Sequence, residues 1–177
     1  MPRILHQLPI TAVGDLVFVG QEMARVKAFQ IIAWASITAG EVLDLPHALH
    51  RFPVIVDTGH THNFSIQEQH LGRWAGLRRE SLHRLGATRE GERRVPLYAA
   101  HLWIHPNRPG RRDEFVDEPP YRLLMEQGIA VFPDEENHPR LPLLGLRALL
   151  FNKLHFTVDG KRKQVFLRTQ KKWWFFG

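Results

Sequence analysis

The sequence predicts one all-β domain, because its apolar residues fall in short runs and alternating patterns. Phe52–Val56 is a continuous apolar run of the kind found in a fully buried strand. Residues 97–104 have the composition of a second strand. Residues 154–158 alternate between apolar and polar side chains before Asp159-Gly160, a dipeptide that favours a tight hairpin turn because it tolerates positive φ. The return strand of that hairpin would follow.

Residues 26–37, rich in Phe, Ile and Trp, predict a further strand. Two short helices are also expected between the strands. The segment Ser65–Glu68 has the spacing of a capping box, in which a hydroxyl and a carboxylate satisfy free amide donors at a helix start. That helix would bury Leu71 and Trp74 and end near Gly76.

The later part of the chain predicts a long loop and a second helix. Residues 105–120 hold four prolines and many charges and are typical of a loop. Residues 121–132 are expected to be extended, with a bulge or turn at Gly128. Residues 143–150 predict a short helix after a turn at Gly145.

Length and composition favour a single domain in a reducing compartment. The 177 residues suffice for one domain over 1–177, with 1–25 as an N-terminal extension and 105–120 as a loop insertion. The chain has no cysteine, which excludes disulfides, thiolate metal sites and cysteine nucleophiles. Asp15 interrupts the most apolar part of residues 1–25, and no window is long enough to span a bilayer. We therefore expect a cytoplasmic protein with no membrane partner.

The positive net charge predicts a basic, solvated surface. The formal charge is +6 and the sequence pI is about 10.2. The basic residues are scattered, and no zinc-finger or RNA-recognition signature is present. A nucleic-acid partner is therefore not expected. The basic pairs and triplets lie at 78–79, 93–94, 111–112, 161–163 and 171–172.

The candidate site is Asp57-Thr58-Gly59, which follows the apolar run directly. This order places one carboxylate at the end of a buried strand. Gly59 allows a sharp turn and a close backbone approach, and the Thr58 hydroxyl can tie the turn down. Alone, the tripeptide is a common turn sequence.

Its surroundings resemble the active-site segment of the retropepsins, the retroviral and retrotransposon type of aspartic peptidase. The stretch Val56–Ile66 is similar to the family's apolar residues, Asp-Thr/Ser-Gly and following polar and apolar positions. Leu143–Leu149 resembles the family's second motif, two apolar residues and a glycine that open the C-terminal helix. The resemblance covers residues 26–167 and implies an acid-protease closed β-barrel with two short helices.

The resemblance also implies a role for each residue of the segment. Asp57 would be the catalytic carboxylate, Thr58 would brace the active-site turn, and Gly59 would contact substrate backbone. The expected cleft-lining, substrate-binding residues are the next three, His60, Thr61 and His62. The substrate would be a polypeptide, and no cofactor or metal is expected.

One copy of the chain carries half of the required chemistry. Hydrolysis by an aspartic endopeptidase needs two carboxylates that share one proton. The other Asp-Gly, at Asp159, lacks the hydroxyl residue and falls in a predicted hairpin turn. A two-fold homodimer would place Asp57 beside the same residue of a second copy.

The sequence departs from the family at two positions. His60 stands where a small residue is usual. Leu146 stands where retroviral members have arginine, and the absence of that arginine resembles cellular and transposon relatives more than viral ones. The family closes its cleft with a β-hairpin. The best candidate here is the turn at 87–92, with 105–120 as the alternative.

Two other functions remain open. The chain could be a catalytically silent, retropepsin-like module that binds peptides by strand addition. His60-x-His62, joined by His101 and His105, also resembles a metal-dependent hydrolase site.

The C-terminal segment 171–177 mixes two lysines with four aromatic residues. It could pack on its own chain, form a dimer contact or stack on single-stranded nucleic acid.

Overall fold

The computed structural model describes residues 3–44, 49–134 and 140–170. Within them the chain forms fourteen strands and two short α-helices, which confirms the all-β prediction. The first strands are β1 (Arg3–Pro9), β2 (Asp15–Val19), β3 (Glu22–Val26), β4 (Ile32–Ala39), β5 (Phe52–Asp57) and β6 (Phe64–Gln67). After α1 (Glu68–Arg73) come β7 (Arg84–Glu90), β8 (Arg93–Tyr98), β9 (Ala100–Ile104), β10 (Tyr121–Leu123), β11 (Ile129–Phe132) and β12 (Leu143–Gly145). The chain ends with α2 (Leu146–Phe151), β13 (Leu154–Asp159) and β14 (Gln164–Thr169).

Nine of these strands form one sheet in the order β10-β9-β4-β5-β12-β6-β11-β8-β7. β12 is parallel to β5, and β11 is parallel to β6, whereas the other neighbours are antiparallel. Over the described ranges the sheet does not close on itself, so the predicted closed barrel is not found. Two smaller sheets, β1-β14-β13 and the β2-β3 hairpin, complete the strand pairing.

One hydrophobic core joins the three sheets. Its fully buried side chains include Phe52 on β5, Phe64 on β6 and Leu144 on β12. Residues from the predicted N-terminal extension belong to the same core, with Leu8 of β1 and Val17 of β2 both buried. Among the described residues, neither helix has the length and apolarity to cross a bilayer.

Several predicted elements differ in detail from the structure. The capping box is wrong, because Ser65 lies inside β6 and α1 begins at Glu68 after Gln67, with no side-chain cap. The predicted strand over 26–37 is divided by a turn that includes Phe29, whose φ is 63°. The strand over 97–104 is divided at Ala99.

The C-terminal hairpin is present, but its turn is longer than the predicted tight turn. β13 ends at Asp159 and β14 begins at Gln164, so four residues connect them. The Arg162 backbone N–H donates to Asp159 Oδ1 at 3.0 Å, and Lys163 takes a positive φ of 52°. The aspartate therefore organises the turn through its side chain.

The segment 105–120 is the predicted long loop, and it packs against the sheet edges. Asn107 is buried, accepts the His6 N–H at 2.9 Å and donates to three backbone carbonyls. Trp34 Nε1 donates to Asp113 at 2.9 Å. The loop contributes no residue to the cavity beside His60 that is described below.

Candidate functional site

Asp57 is the last residue of β5, and its side chain is half-buried at the start of the turn. The Gly59 N–H donates to Asp57 Oδ1 at 2.9 Å, and the His60 N–H donates to the Asp57 carbonyl at 3.2 Å. These bonds fix the turn and orient the carboxylate. Thr58 and Gly59 are exposed beside it. One carboxylate is thus presented on a rigid turn at the end of a buried strand.

The second predicted motif lies directly against the first. β12 runs parallel to β5, with Leu144 opposite Val56 and Gly145 opposite Asp57. The Gly145 N–H donates to the Asn63 carbonyl at 2.9 Å. A side chain at position 145 would collide with the backbone carbonyls of His60 and His62. The glycine is therefore required for the turn after Asp57 to fold back over β12.

Two imidazoles follow the turn. The rings of His60 and His62 lie 5.3 Å apart between centroids, nearly edge to face. The Nε2 atom of each is buried without a hydrogen-bond partner among the described residues. Burial lowers the pKa of both histidines, since desolvation disfavours the charged ring. Thr61, between them, is exposed.

A cavity of about 230 Å³ lies between this segment and the β7-β8 hairpin. The hairpin turns at Gly91, within the predicted 87–92 segment, and Glu90 on its first strand faces the cavity. The negative charge of Glu90 is close enough to His60 and His62 to oppose the lowering of both pKa values. The cavity lining includes His60, Gln67, Glu90, Phe132, Arg140 and Leu141.

On the other side of the turn lies an exposed apolar surface that the sequence analysis did not identify. Leu150 is 66% exposed and Phe151 is 44% exposed, both on α2. Together with Leu146, Thr58 and Thr61 they line a shallow depression beside the Asp57 turn. The signal in the sequence is the apolar run that ends at Phe151, which is longer than one face of a short helix can bury.

His101 and His105 do not join His60 and His62. His101 lies on β9 opposite Thr38, and the buried His105 ring bonds Ser36 Oγ at 2.8 Å. In the described ranges no three His, Cys, Asp or Glu side chains are placed to hold a metal ion. The described residues therefore do not support the alternative in which His101 and His105 add ligands to His60-x-His62.

No family model matches the chain, and no curated protein or solved structure matches it either. The geometry of the site must therefore carry the functional argument. The C-terminal segment 171–177, for which a dimer contact was one expectation, lies outside the described residues.

Proposed function

We propose that the chain is a retropepsin-like aspartic endopeptidase that works as a homodimer, with Asp57 from each copy forming the catalytic pair. The observation that carries the proposal is the parallel register of β5 and β12, which sets Gly145 beside Asp57. Two motifs that are 86 positions apart in the chain, counted from Gly59 to Gly145, meet at one turn.

The reaction follows from two carboxylates that share one proton. The ionised carboxylate accepts a proton from a water molecule, whose oxygen then attacks the carbonyl carbon of the peptide bond. The protonated carboxyl donates to the carbonyl oxygen, and the leaving nitrogen takes a proton as the bond breaks. Close like charges favour the state in which only one of the two is ionised.

The second copy would dock on the apolar surface of α2. Leu150 and Phe151 are exposed next to Thr58, so a self-complementary contact there brings the two Asp57 turns together. The β7-β8 hairpin would cover the substrate from the side of the cavity, and His60, Thr61 and His62 would line the cleft.

The test is cleavage of an unstructured polypeptide between pH 4 and 7. We expect Asp57→Asn to abolish cleavage, because the amide can neither accept nor share the proton. Asp159→Asn is the matched control, since the amide oxygen still accepts the Arg162 N–H and cleavage should be unchanged. Equal loss in both variants, or activity that survives Asp57→Asn, contradicts the proposal.

The homodimer is tested by the mass of the protein in solution. We expect Leu150→Glu to shift the protein to a monomer and remove cleavage, because it places a charge in the apolar contact. Phe18→Glu is the control: Phe18 is 61% exposed, similar to Leu150, but lies on β2. A wild-type protein that stays monomeric at micromolar concentration would refute the homodimer.

One observation favours the silent peptide-binding module as the second candidate. His60 places a half-buried imidazole directly after the turn, close enough to Asp57 for that carboxylate to oppose the lowering of the histidine pKa. If the chain is a silent peptide-binding module, the wild-type protein and Asp57→Asn should bind peptide equally, and neither should cleave it. The same assay therefore separates the two functions.

A further inference from the structure

The net charge of the chain comes from one segment near its C-terminus. Residues 152–172 hold seven of the 24 basic residues and one of the 18 acidic residues, so the rest of the chain holds 17 of each. In sequence, apolar residues lie between Lys153, the contiguous triplet 161–163 and Arg168. In the structure, most of the described part of this segment forms the β13-β14 hairpin.

The fold gathers basic side chains from three strands into one row. Arg3 of β1 pairs directly with Arg168 of β14, which pairs in turn with His155 of β13. Directly opposed residues of antiparallel strands share a face, and all three are exposed. Within the described ranges the Arg168 and His155 side chains have no hydrogen bond or ion pair. The two directly opposed arginines are like charges, an arrangement that is unfavourable and that an anion lying across them would relieve.

An aromatic groove lies beside this row. Phe166, half-buried, is two residues from Arg168 on the same face, and its ring centroid is 5.8 Å from that of His6. The groove has a volume of about 560 Å³. Asp159 is the carboxylate in its lining, and it already accepts the Arg162 N–H and faces the Arg162 guanidinium at 3.9 Å. The groove therefore offers cations and a flat ring.

We propose that this face of the β1-β14-β13 sheet binds single-stranded nucleic acid. The phosphates would lie on Arg3 and Arg168, and a base would stack on Phe166. Cations around a recessed aromatic ring suit a flat base joined to a phosphate chain. A lipid headgroup would use the cations but leave the groove without an occupant. The site does not depend on Asp57 or on the peptidase proposal.

Fluorescence anisotropy with a labelled 12-nucleotide single strand and the full chain tests the site. At ~0.1 M salt we expect Arg3→Gln with Arg168→Gln to weaken binding about tenfold. The slope of log Kd against log salt should fall by about 1.4, because each lost phosphate contact removes ~0.7. Phe166→Leu should weaken binding about tenfold without changing the slope, since stacking releases no counterions.

The control is Arg25→Gln with Arg78→Gln, which removes the same charge from exposed positions outside the groove. Circular dichroism and the melting temperature confirm the fold of each variant. The proposal is overturned if the control weakens binding as much as the Arg3 and Arg168 pair, or if the oligonucleotide does not bind. It is also overturned if Phe166→Leu has no effect, or if only phosphatidylserine vesicles bind.

Discussion

Gly145 shows how one residue determines the architecture of the candidate site. Its N–H is bonded to Asn63, and the backbone carbonyls of His60 and His62 occupy the space that a side chain would need. The turn after Asp57 thus closes on backbone atoms, which cannot rotate away as a side chain could. The same contact therefore supports both the candidate site and the packing of the strands.

Gly145→Ala is therefore predicted to destabilise the protein by about 3 kcal/mol, at the upper end of overpacking costs. Urea denaturation measures the change, and any cleavage activity should fall with it. Gly72→Ala is the matched control. Gly72 lies in α1 with open space at its Cβ position, so alanine should stabilise by about 0.5–1 kcal/mol. Equal effects in the two variants would contradict this account of Gly145.

The residues of the site were predictable from the sequence to different degrees. Asp57 could be located because a carboxylate after a buried run, followed by glycine, is a local pattern. Glu90 falls within the segment 87–92 that was predicted to cover the cleft, but it could not be singled out, since its place at the cavity comes from the pairing of β8 with β11 and of β7 with β8. Non-local strand pairing leaves no signal in a short window of sequence.

Among the elements, β6 shows how tertiary contacts override local preference. Ser65 and Glu68 have capping-box spacing, yet Ser65 pairs with Ala130 of β11 and with Leu143 of β12. Two neighbouring strands satisfy its backbone, so the helix begins three residues later. Leu71 and Trp74 are nevertheless buried as predicted. Their three-residue spacing places them on one side of the helix whether it begins after Ser65 or at Glu68.

The Asn107 side chain makes four hydrogen bonds that hold the loop over 105–120. Asn107→Ala would leave the His6 N–H and the carbonyls of His6 and Arg111 without this partner, whereas the Arg108 carbonyl would keep its bond from the Arg111 N–H. We predict a loss of about 2–4 kcal/mol, the cost of several unsatisfied groups. Hydrogen exchange should accelerate at the Arg108 amide, which donates to the Glu114 carbonyl across the loop, and at the Gly110 amide, which donates to the Gln7 carbonyl of β1.

Gln21→Ala, in the exposed turn between β2 and β3, is the control and should change neither stability nor exchange. If Asn107→Ala leaves the loop amides as protected as in wild type, the loop is held by its other contacts instead. The Trp34 bond to Asp113 would then be the main candidate.

For the molecule as a whole, the strand content was predictable and the sheet order was not. Alternation and apolar runs identify strands, but they do not say that β12 inserts between β5 and β6. This insertion makes the parallel β5-β12 pair and joins the halves of the chain in one core. The pairing of Arg3 with Arg168 was not predictable for the same reason, whereas the excess of basic residues in 152–172 can be counted in the sequence.

Acid sensitivity is a property of the whole fold. Burial lowers the pKa of His105 from 6.5 to about 4, and it also lowers the pKa of His60, His62, His70 and His101. Below pH 6.5 the unfolded chain binds protons that the folded chain does not, so stability should fall as the pH drops toward 4. For His105 alone the loss is about 3 kcal/mol.

Chemical denaturation at pH 7, 5.5 and 4.5 measures this dependence. His105→Gln should flatten the fall in unfolding free energy, whereas His155→Gln, at an exposed position, should leave it unchanged. A wild-type stability that stays constant over this range would show that the buried rings take up protons without cost.

The pairing of β1 with β14 has a consequence for biosynthesis. A strand that begins at Arg3 can find its partner only once the ribosome has released residues 164–169. At roughly 5–20 residues per second, that wait lasts on the order of ten seconds or more. Throughout this wait, the apolar face of β1 stays in water. A chaperone that recognises extended apolar segments would engage the nascent chain during this interval.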